Sequence, residues 1–167
     1  MSTEARSEEV LPDEMLEITG HVVPSDPLRL LAEDGEDLQI ISAALQDAIL
    51  RPVDIRWEKA SRRVTVTLSR FCWECGGERV RSALQFGDVE AVQSRDLPRA
   101  PDAPLLLLAV GFQPGEAPGG DVILMFAGGG DMRIRVECLD AVLVDLSERW
   151  PASGEPAHDD EPRGEQP

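Results

Sequence analysis

Asp121–Trp150 has the sequence DVILMFAGGG DMRIRVECLD AVLVDLSERW, and this stretch decides the fold. Met132, Ile134 and Val136 alternate with charged residues, which is the period of a half-buried strand. A continuous apolar run precedes them, and Gly128–Gly130 between the two segments provide the positive φ angles of a tight reversal. We therefore predict a β-hairpin.

The end of the same stretch has a different period. Apolar residues recur there at spacings of three and four, which places them on one face of an amphipathic helix: Leu139, Val142, Leu143, Leu146 and Trp150. A hairpin that leads directly into such a helix has to lay the helix over the sheet, because neither apolar face is stable in water. We predict a C-terminal capping helix.

Outside this stretch, alternating or continuous apolar segments predict further strands and one more helix. Asp34 is the predicted N-cap of a helix over Glu36–Leu50, which Pro52 ends. Phe71 and Trp73 have the opposite parity to Leu68, which predicts a bulge or a strand end near Ser69–Arg70. A kink is expected at Gly87–Asp88. The predicted strands lie at Leu28–Ala32, Val53–Trp57, Val64–Leu68, Val80–Phe86, Val89–Ser94 and Leu105–Phe112.

These elements predict an α+β fold that is mainly antiparallel β. A meander of about seven strands, with one inserted helix and a C-terminal capping helix, favours a pleckstrin-homology-like barrel. The alternative is an open antiparallel sheet with two helices on one face. A parallel α/β fold is disfavoured because most connections are too short for crossovers.

The charges divide the chain into one domain and two tails. The whole chain of 167 residues carries a net charge of −16. Residues 1–26 and 151–167 hold 12 acidic residues and 2 arginines, whereas residues 27–150 hold 20 acidic and 14 basic residues. We predict a globular domain over 27–150 between two acidic disordered tails.

Composition also favours some cellular settings over others. The acidic N-terminus lacks the apolar segment of a signal peptide, and the run around Leu105–Val110 is too short to span a membrane. We therefore expect a cytoplasmic protein that does not bind membranes. A chain of charge −16 is repelled by nucleic-acid phosphates.

The positions of the histidines and the residues that follow the glycines exclude several kinds of catalytic and binding site. His21 and His158 both lie in the predicted tails, so the domain has no imidazole for nucleophile activation or for the common zinc sites. Gly128–Gly130 lack the Lys-Ser/Thr of a phosphate-binding loop and are interpreted as a hairpin turn. No cofactor is predicted, and no catalytic residue is assigned.

The three cysteines are predicted to be thiols. Cys72 and Cys75 have the spacing of a zinc half-site or a dithiol, but a tetrahedral site would need Cys138 or a tail histidine to complete it. Gly76-Gly77 follow where a redox motif would open a helix. Cys138 is expected to be buried by packing.

Arginines and aromatic residues supply the candidate binding site. Arg79 and Arg81 share one strand face, and Arg133 and Arg135 share another. If the faces adjoin, they form a basic patch for a phosphate, a carboxylate or an acidic peptide. The simpler interpretation is a solvated face with cross-strand ion pairs. Phe71 and Trp73, beside the break in strand phase, are predicted to line a groove or to pack in the core.

Three functions remain open. We favour a non-enzymatic adaptor that binds a protein or peptide, at a sheet edge for example. An enzyme or small-anion binder would use carboxylates such as Glu74, Glu78 or Asp88 beside the arginines; a deep pocket with a carboxylate of raised pKa would favour it. The third hypothesis is a metal protein with Cys72 and Cys75 as ligands.

Several motifs resemble a known family. They are DPLRLLAED (26–34), EDLQIISAALQDA (36–48), RF-x-WE (70–74), RVRSALQF (79–86) and FAGGGD (126–131). They are similar to the bacterial family called domain of unknown function 2948, over Asp26 to about Trp150. The resemblance implies a small, alphaproteobacterial, cytoplasmic protein. It implies no activity, and Cys72 and Cys75 are outside the family pattern.

Overall fold

The computed structural model describes residues 27–72, 76–147 and 150–151. The predicted tails, apart from Pro151, lie outside these residues, as do Trp73, Glu74 and Cys75. The described elements are strands, one α-helix and a 3-10 helix (Pro52–Asp54): β1 (Arg29–Ala32), α1 (Gly35–Ala44), β2 (Ile49–Leu50), β3 (Ile55–Glu58), β4 (Arg63–Cys72), β5 (Glu78–Phe86), β6 (Val89–Arg95), β7 (Leu105–Pro114), β8 (Gly120–Phe126), β9 (Asp131–Val136), β10 (Ala141–Asp145) and β11 (Trp150–Pro151).

All strand pairs are antiparallel and form one sheet in the order β1-β10-β5-β4-β2-β7-β8-β9-β6. β3 pairs with β4, and β11 pairs with β5. The mainly antiparallel α+β class is therefore confirmed. The predicted closed barrel is wrong, because β1 and β6 end the order without pairing with each other. The open antiparallel sheet, the alternative, is observed with one helix among the described residues.

Short connections join β5 to β6 and β9 to β10. β5 pairs with β10, and β6 pairs with β9. The two connections, from β5 to β6 and from β9 to β10, therefore lie side by side and form two neighbouring corners. At the first corner Asp88 has a φ of 54°, which confirms the predicted kink at Gly87–Asp88. Backbone hydrogen bonds from Gly87 N to Asp140 O and from Glu137 N to Asp88 O tie the corners together, both at 2.9 Å.

Helix α1 begins where predicted and ends early. The Asp34 carboxylate accepts a hydrogen bond from Asp37 N at 2.8 Å, which confirms the N-cap. The helix ends at Ala44 rather than Leu50, and Asp47 turns the chain with a φ of 68°. Ile49 and Leu50 instead form β2 between β4 and β7. Their apolar spacing was compatible with either structure. No helix in the described ranges is long and apolar enough to cross a membrane.

The predicted C-terminal capping helix is wrong. Ala141–Asp145 form the strand β10, which lies between β1 and β5, and all five residues are buried. A strand that is covered on both faces has an apolar run without alternation, and such a run also contains helical spacings. Leu143 packs in the main core, while Val142 and Val144 belong to a second buried cluster.

The predicted bulge near Ser69–Arg70 is also wrong. β4 pairs with β5 without a register shift from Val64 to Cys72. The apolar pattern changes phase because Arg70 takes an inward position that an apolar residue would normally occupy. Its side chain is 1 % exposed and lies against Asp145 of β10. Because the charged partner of this buried ion pair interrupts the apolar alternation of β4, the sequence pattern resembles that of a bulge.

Asp145 is the acceptor at the centre of this buried polar cluster. Its carboxylate accepts hydrogen bonds from Arg70 Nη2 at 2.9 Å, Arg70 Nε at 3.2 Å and Ser82 Oγ at 2.7 Å. Leu28 N donates to it at 3.2 Å. The cluster therefore joins β4, β5 and β10 to the segment before β1.

We predict that Asp145→Ala lowers the free energy of unfolding by about 3–5 kcal/mol, because it leaves buried donors without their acceptor. Asp131→Ala is the matched control, since its partner Arg95 is largely exposed. It should cost less than about 1 kcal/mol. Urea unfolding of the full chain measures both values. Equal losses for the two variants would contradict the assigned role of Asp145.

Candidate functional site

An open groove lies where two sheet edges meet. β6 ends the strand order, and β3 pairs only with β4 among the described strands, so each has an edge without a neighbouring strand. Residues of both strands and of the β3–β4 turn line the groove, which has a volume of about 540 Å³: Trp57, Lys59, Arg62, Val89, Glu90, Ala91 and Val92. We call it the edge groove.

The interior of the edge groove is continuous with the main core. Trp57 and Val92 are only partly buried, yet both pack against core residues. Ile55 of β3 and Leu97, just after β6, are partly buried in the same way. Because these side chains belong to the two edge strands or follow them, the core is incompletely covered along these edges.

Charged residues form the rim of the edge groove. Arg62 Nη2 lies 2.8 Å from Glu137 Oε1, and Arg62 O accepts a hydrogen bond from Val89 N at 3.0 Å, which anchors the start of β6. Lys59 forms no ion pair with a described residue. A bulge between Val89 and Ala91 interrupts the pairing of β6 with β9. Such a bulge is a common feature of edge strands.

Arg133 and Arg135, two of the predicted binding residues, share one carboxylate. Arg133 Nη1 donates to Asp121 Oδ2 at 2.9 Å and to Gln113 Oε1 at 3.1 Å, and Arg135 Nε donates to Asp121 Oδ1 at 3.3 Å. Burial raises the pKa of Asp121, but the two arginines outweigh burial and hold that pKa below its ordinary value. These arginines therefore form cross-strand ion pairs, and Asp121 neutralises part of their charge.

Arg79 and Phe71, two more predicted residues, lie together on a different strand pair. They are direct cross-strand neighbours, and the Arg79 Cζ lies 5.5 Å from the centre of the Phe71 ring. Arg81 is half-buried two residues further along β5, and its backbone N donates to Ser147 Oγ at 3.0 Å. Since β5 and β9 are not neighbours in the sheet, the two arginine pairs occupy separate places. Trp73 is outside the described residues.

Neither the edge groove nor the buried Arg70–Asp145 pair was predicted from the sequence. A signal for the pair was present, because Arg70 interrupts the apolar parity of β4 and Asp145 follows a wholly apolar run. No comparable signal marks the groove. The groove depends on β3 and β6, which are distant in sequence and each pair with only one of the strands that the structure describes.

The cysteines are not equivalent. Cys72 is buried and disulfide-bonded, whereas a thiol was predicted. Cys138 is free and half-buried, and its Sγ lies 3.1 Å from Asp88 Oδ2. It was expected to be fully buried. No group of three or more metal-ligating side chains occurs among the described residues, and Cys75 lies outside them.

The carboxylates named for an enzyme are also separated. Asp88 lies at the corner between β5 and β6, and Glu78 begins β5 at its far end. The pKa of Asp140 is raised by burial and by the nearby charge of Asp88. Asp140 does not line the edge groove. Glu74 is outside the described residues.

The Asp88 carboxylate controls the thiol of Cys138. The hydrogen bond from Cys138 to Asp88, then burial and nearby negative charges, raise the pKa of that thiol. The thiol is therefore protonated at neutral pH and is a weak nucleophile. We predict that Asp88→Asn lowers the pKa and speeds alkylation of Cys138 at pH 8. Asparagine tolerates the positive φ at this position.

Iodoacetamide labelling of the full chain, followed at the Cys138 peptide by mass spectrometry, measures this rate as a function of pH. Asp131→Asn removes the same charge at a distant site and is the control. A Cys138 rate that is unchanged by Asp88→Asn would show that the Sγ–carboxylate contact does not govern its reactivity.

Residues 28–158 match the family model described as "Protein of unknown function (DUF2948)". No curated protein and no solved structure matches the chain. The matched segment covers most of the 167 residues and includes the edge strands, the arginine pairs and the buried ion pair. The chain therefore belongs to the DUF2948 family.

Proposed function

We propose that this domain is a peptide-binding module that takes an extended segment of a partner protein as an added strand along β6. The observation that supports the proposal most directly is the edge groove. There, two strand edges that have no second neighbour among the described strands lie beside an incompletely covered core. Edge strands offer backbone N–H and C=O groups to an incoming strand, and adjacent pockets select its side chains.

The shape of the edge groove determines which side chains the partner segment would offer. An extended peptide alternates its side chains between two faces. Those that point inward would contact Trp57 and Val92, which are only partly buried. The partner segment would therefore carry an apolar residue at every second position along this contact.

The rim determines the charge of the partner segment. Lys59 and Arg62 contribute two positive charges, and Glu90 contributes one negative charge. Glu137 already pairs with Arg62, whereas Lys59 has no ion-pair partner among the described residues. An acidic residue in the peptide near Lys59 would complement this rim. A rim pair of this kind contributes more to specificity than to affinity.

Two lysine substitutions on β6 test the proposal. Val92→Lys places a charge at the interior of the edge groove, and inward-pointing charges block strand addition at edges. Gln93→Lys adds the same charge to the exposed opposite face of the strand. We predict that Val92→Lys weakens peptide binding by at least about tenfold, equivalent to about 1.4 kcal/mol. Gln93→Lys should change binding by less than about threefold.

The probes are displayed peptides of about ten residues, long enough to span β6, selected on the full chain. Binding is measured by titration, and hydrogen exchange reports whether the β6 amides become protected. Circular dichroism confirms that both variants fold. Selected peptides that bind elsewhere, or that tolerate Val92→Lys, would overturn the proposal. So would a dimer of the chain alone with protected β6 amides, because a second copy would then occupy the edge.

A further inference from the structure

Arg79 is buried and has no carboxylate in hydrogen-bond contact among the residues that the structure describes. The residue is 8 % exposed, although arginine is seldom so deeply buried unless it is paired. Burial lowers the pKa of its guanidinium, and the charge of Asp47 only partly opposes that effect. Within the described residues, Arg79 forms no ion pair. The position therefore keeps a positive charge in a place where charge is costly.

The contacts of Arg79 hold one side of the guanidinium. Nη1 donates to Ser69 O at 2.9 Å and to Asp47 O at 3.5 Å. The face of the group lies against Phe71, at 5.5 Å from the ring centre. Backbone carbonyls fix its orientation but carry no net charge to neutralise it. Nε and Nη2 contact no acceptor in the described part of the chain.

The Nε–Nη2 edge of the guanidinium is the side that neither the Ser69 nor the Asp47 carbonyl contacts. Its N–H groups are parallel, and this fork matches two oxygens of a carboxylate or a phosphate. A fixed guanidinium loses little conformational entropy when it binds, because its orientation already exists. A buried donor without an acceptor is costly, so an oxyanion that accepts from this edge would remove that cost.

We propose that Arg79 is the base of an anion-binding site that takes a carboxylate group side-on through Nε and Nη2. Phe71 supports the guanidinium from one face, and the Ser69 carbonyl holds it in place. A carboxylate is favoured over a phosphate because its one negative charge balances the one positive charge of Arg79, which forms no ion pair with a described residue.

The other predicted arginines do not combine deep burial with a guanidinium that lacks a carboxylate contact among the described residues. Arg133 and Arg135 share Asp121, and their side chains are 38 % and 62 % exposed. Water and a neighbouring carboxylate therefore already satisfy much of their charge. The Arg79 site is also independent of strand addition. It lies beside Phe71, eight residues and ~26 Å along β4 from Arg63, where the strand begins next to the edge groove.

The test is a titration of the full chain observed at arginine side chains by NMR. Uniform ¹⁵N labelling resolves the Nε–H signals, and the Arg79 signal is assigned through its contacts with the Phe71 ring. Sodium acetate is the carboxylate probe, inorganic phosphate is the second probe, and sodium chloride at equal ionic strength controls for screening. We expect acetate to shift the Arg79 Nε–H signal saturably, and chloride to leave it unchanged.

Matched variants distinguish the contribution of the planar guanidinium from the contribution of its positive charge. Arg79→Lys keeps the charge and removes the planar fork, whereas Arg99→Lys makes the same change at an exposed arginine in the loop after β6. Backbone amides of Ser69 and Phe71 report binding in both. We expect Arg79→Lys to weaken acetate binding at least tenfold and Arg99→Lys to have no effect.

Three results would overturn the proposal. The first is a wild-type Arg79 signal that does not saturate with acetate, which decides the question even if Arg79→Lys fails to fold. The second is saturation by phosphate alone, which would exclude the carboxylate assignment. The third is equal weakening by both lysine variants. Because the Val92→Lys test uses peptides at the other end of β4, either proposal can fail while the other stands.

Discussion

The buried pair of Arg70 and Asp145 is the constraint on which the sheet depends. Their side chains are 1 % and 7 % exposed, so each charge would be strongly destabilising without the other. The pair also fixes register. A slip of β10 by one residue would turn Asp145 to the opposite face and leave Arg70 without this carboxylate. Ser82 and the backbone of Leu28 bond the same carboxylate, so β10 has one position between β1 and β5.

The two sides of the sheet are unequal. β10 is buried on both faces, and it fills the sheet between β1 and β5. On the other side, β6 has a single neighbour within the described part of the sheet, and Val92 remains partly exposed beside Trp57. The chain limits self-association there with a bulge and with charged residues such as Glu90 and Arg95, which are usual on edge strands. Features of this kind reduce indiscriminate pairing of edge strands.

Much of the fold followed from periodicity, and the exceptions have physical causes. The alternation of Met132, Ile134 and Val136 predicted β9 correctly, and Asp34 marked the start of α1, because both patterns depend on neighbours within a few residues. β10 was mistaken for a helix because burial on both faces removes the alternation that identifies a strand. Arg70 was mistaken for a bulge because its partner lies 75 residues away. The open ends of the sheet and the edge groove depend on which distant strands pair, and local periods do not encode that pairing.

The candidate site followed from sequence only in part, and the arginines show why. Strand parity grouped Arg79 with Arg81 and Arg133 with Arg135. Parity does not predict which side chains or backbone groups each guanidinium contacts. Asp121 lies across from Arg135 on β8 and takes up the charge of the second pair. Phe71 and the Ser69 carbonyl lie beside Arg79 and do not neutralise its positive charge. Residues of one type on similar strand faces therefore differ in function through their cross-strand neighbours. Within the described ranges Arg79 has no carboxylate in contact with its guanidinium, and this difference is why we propose it as the anion-binding arginine.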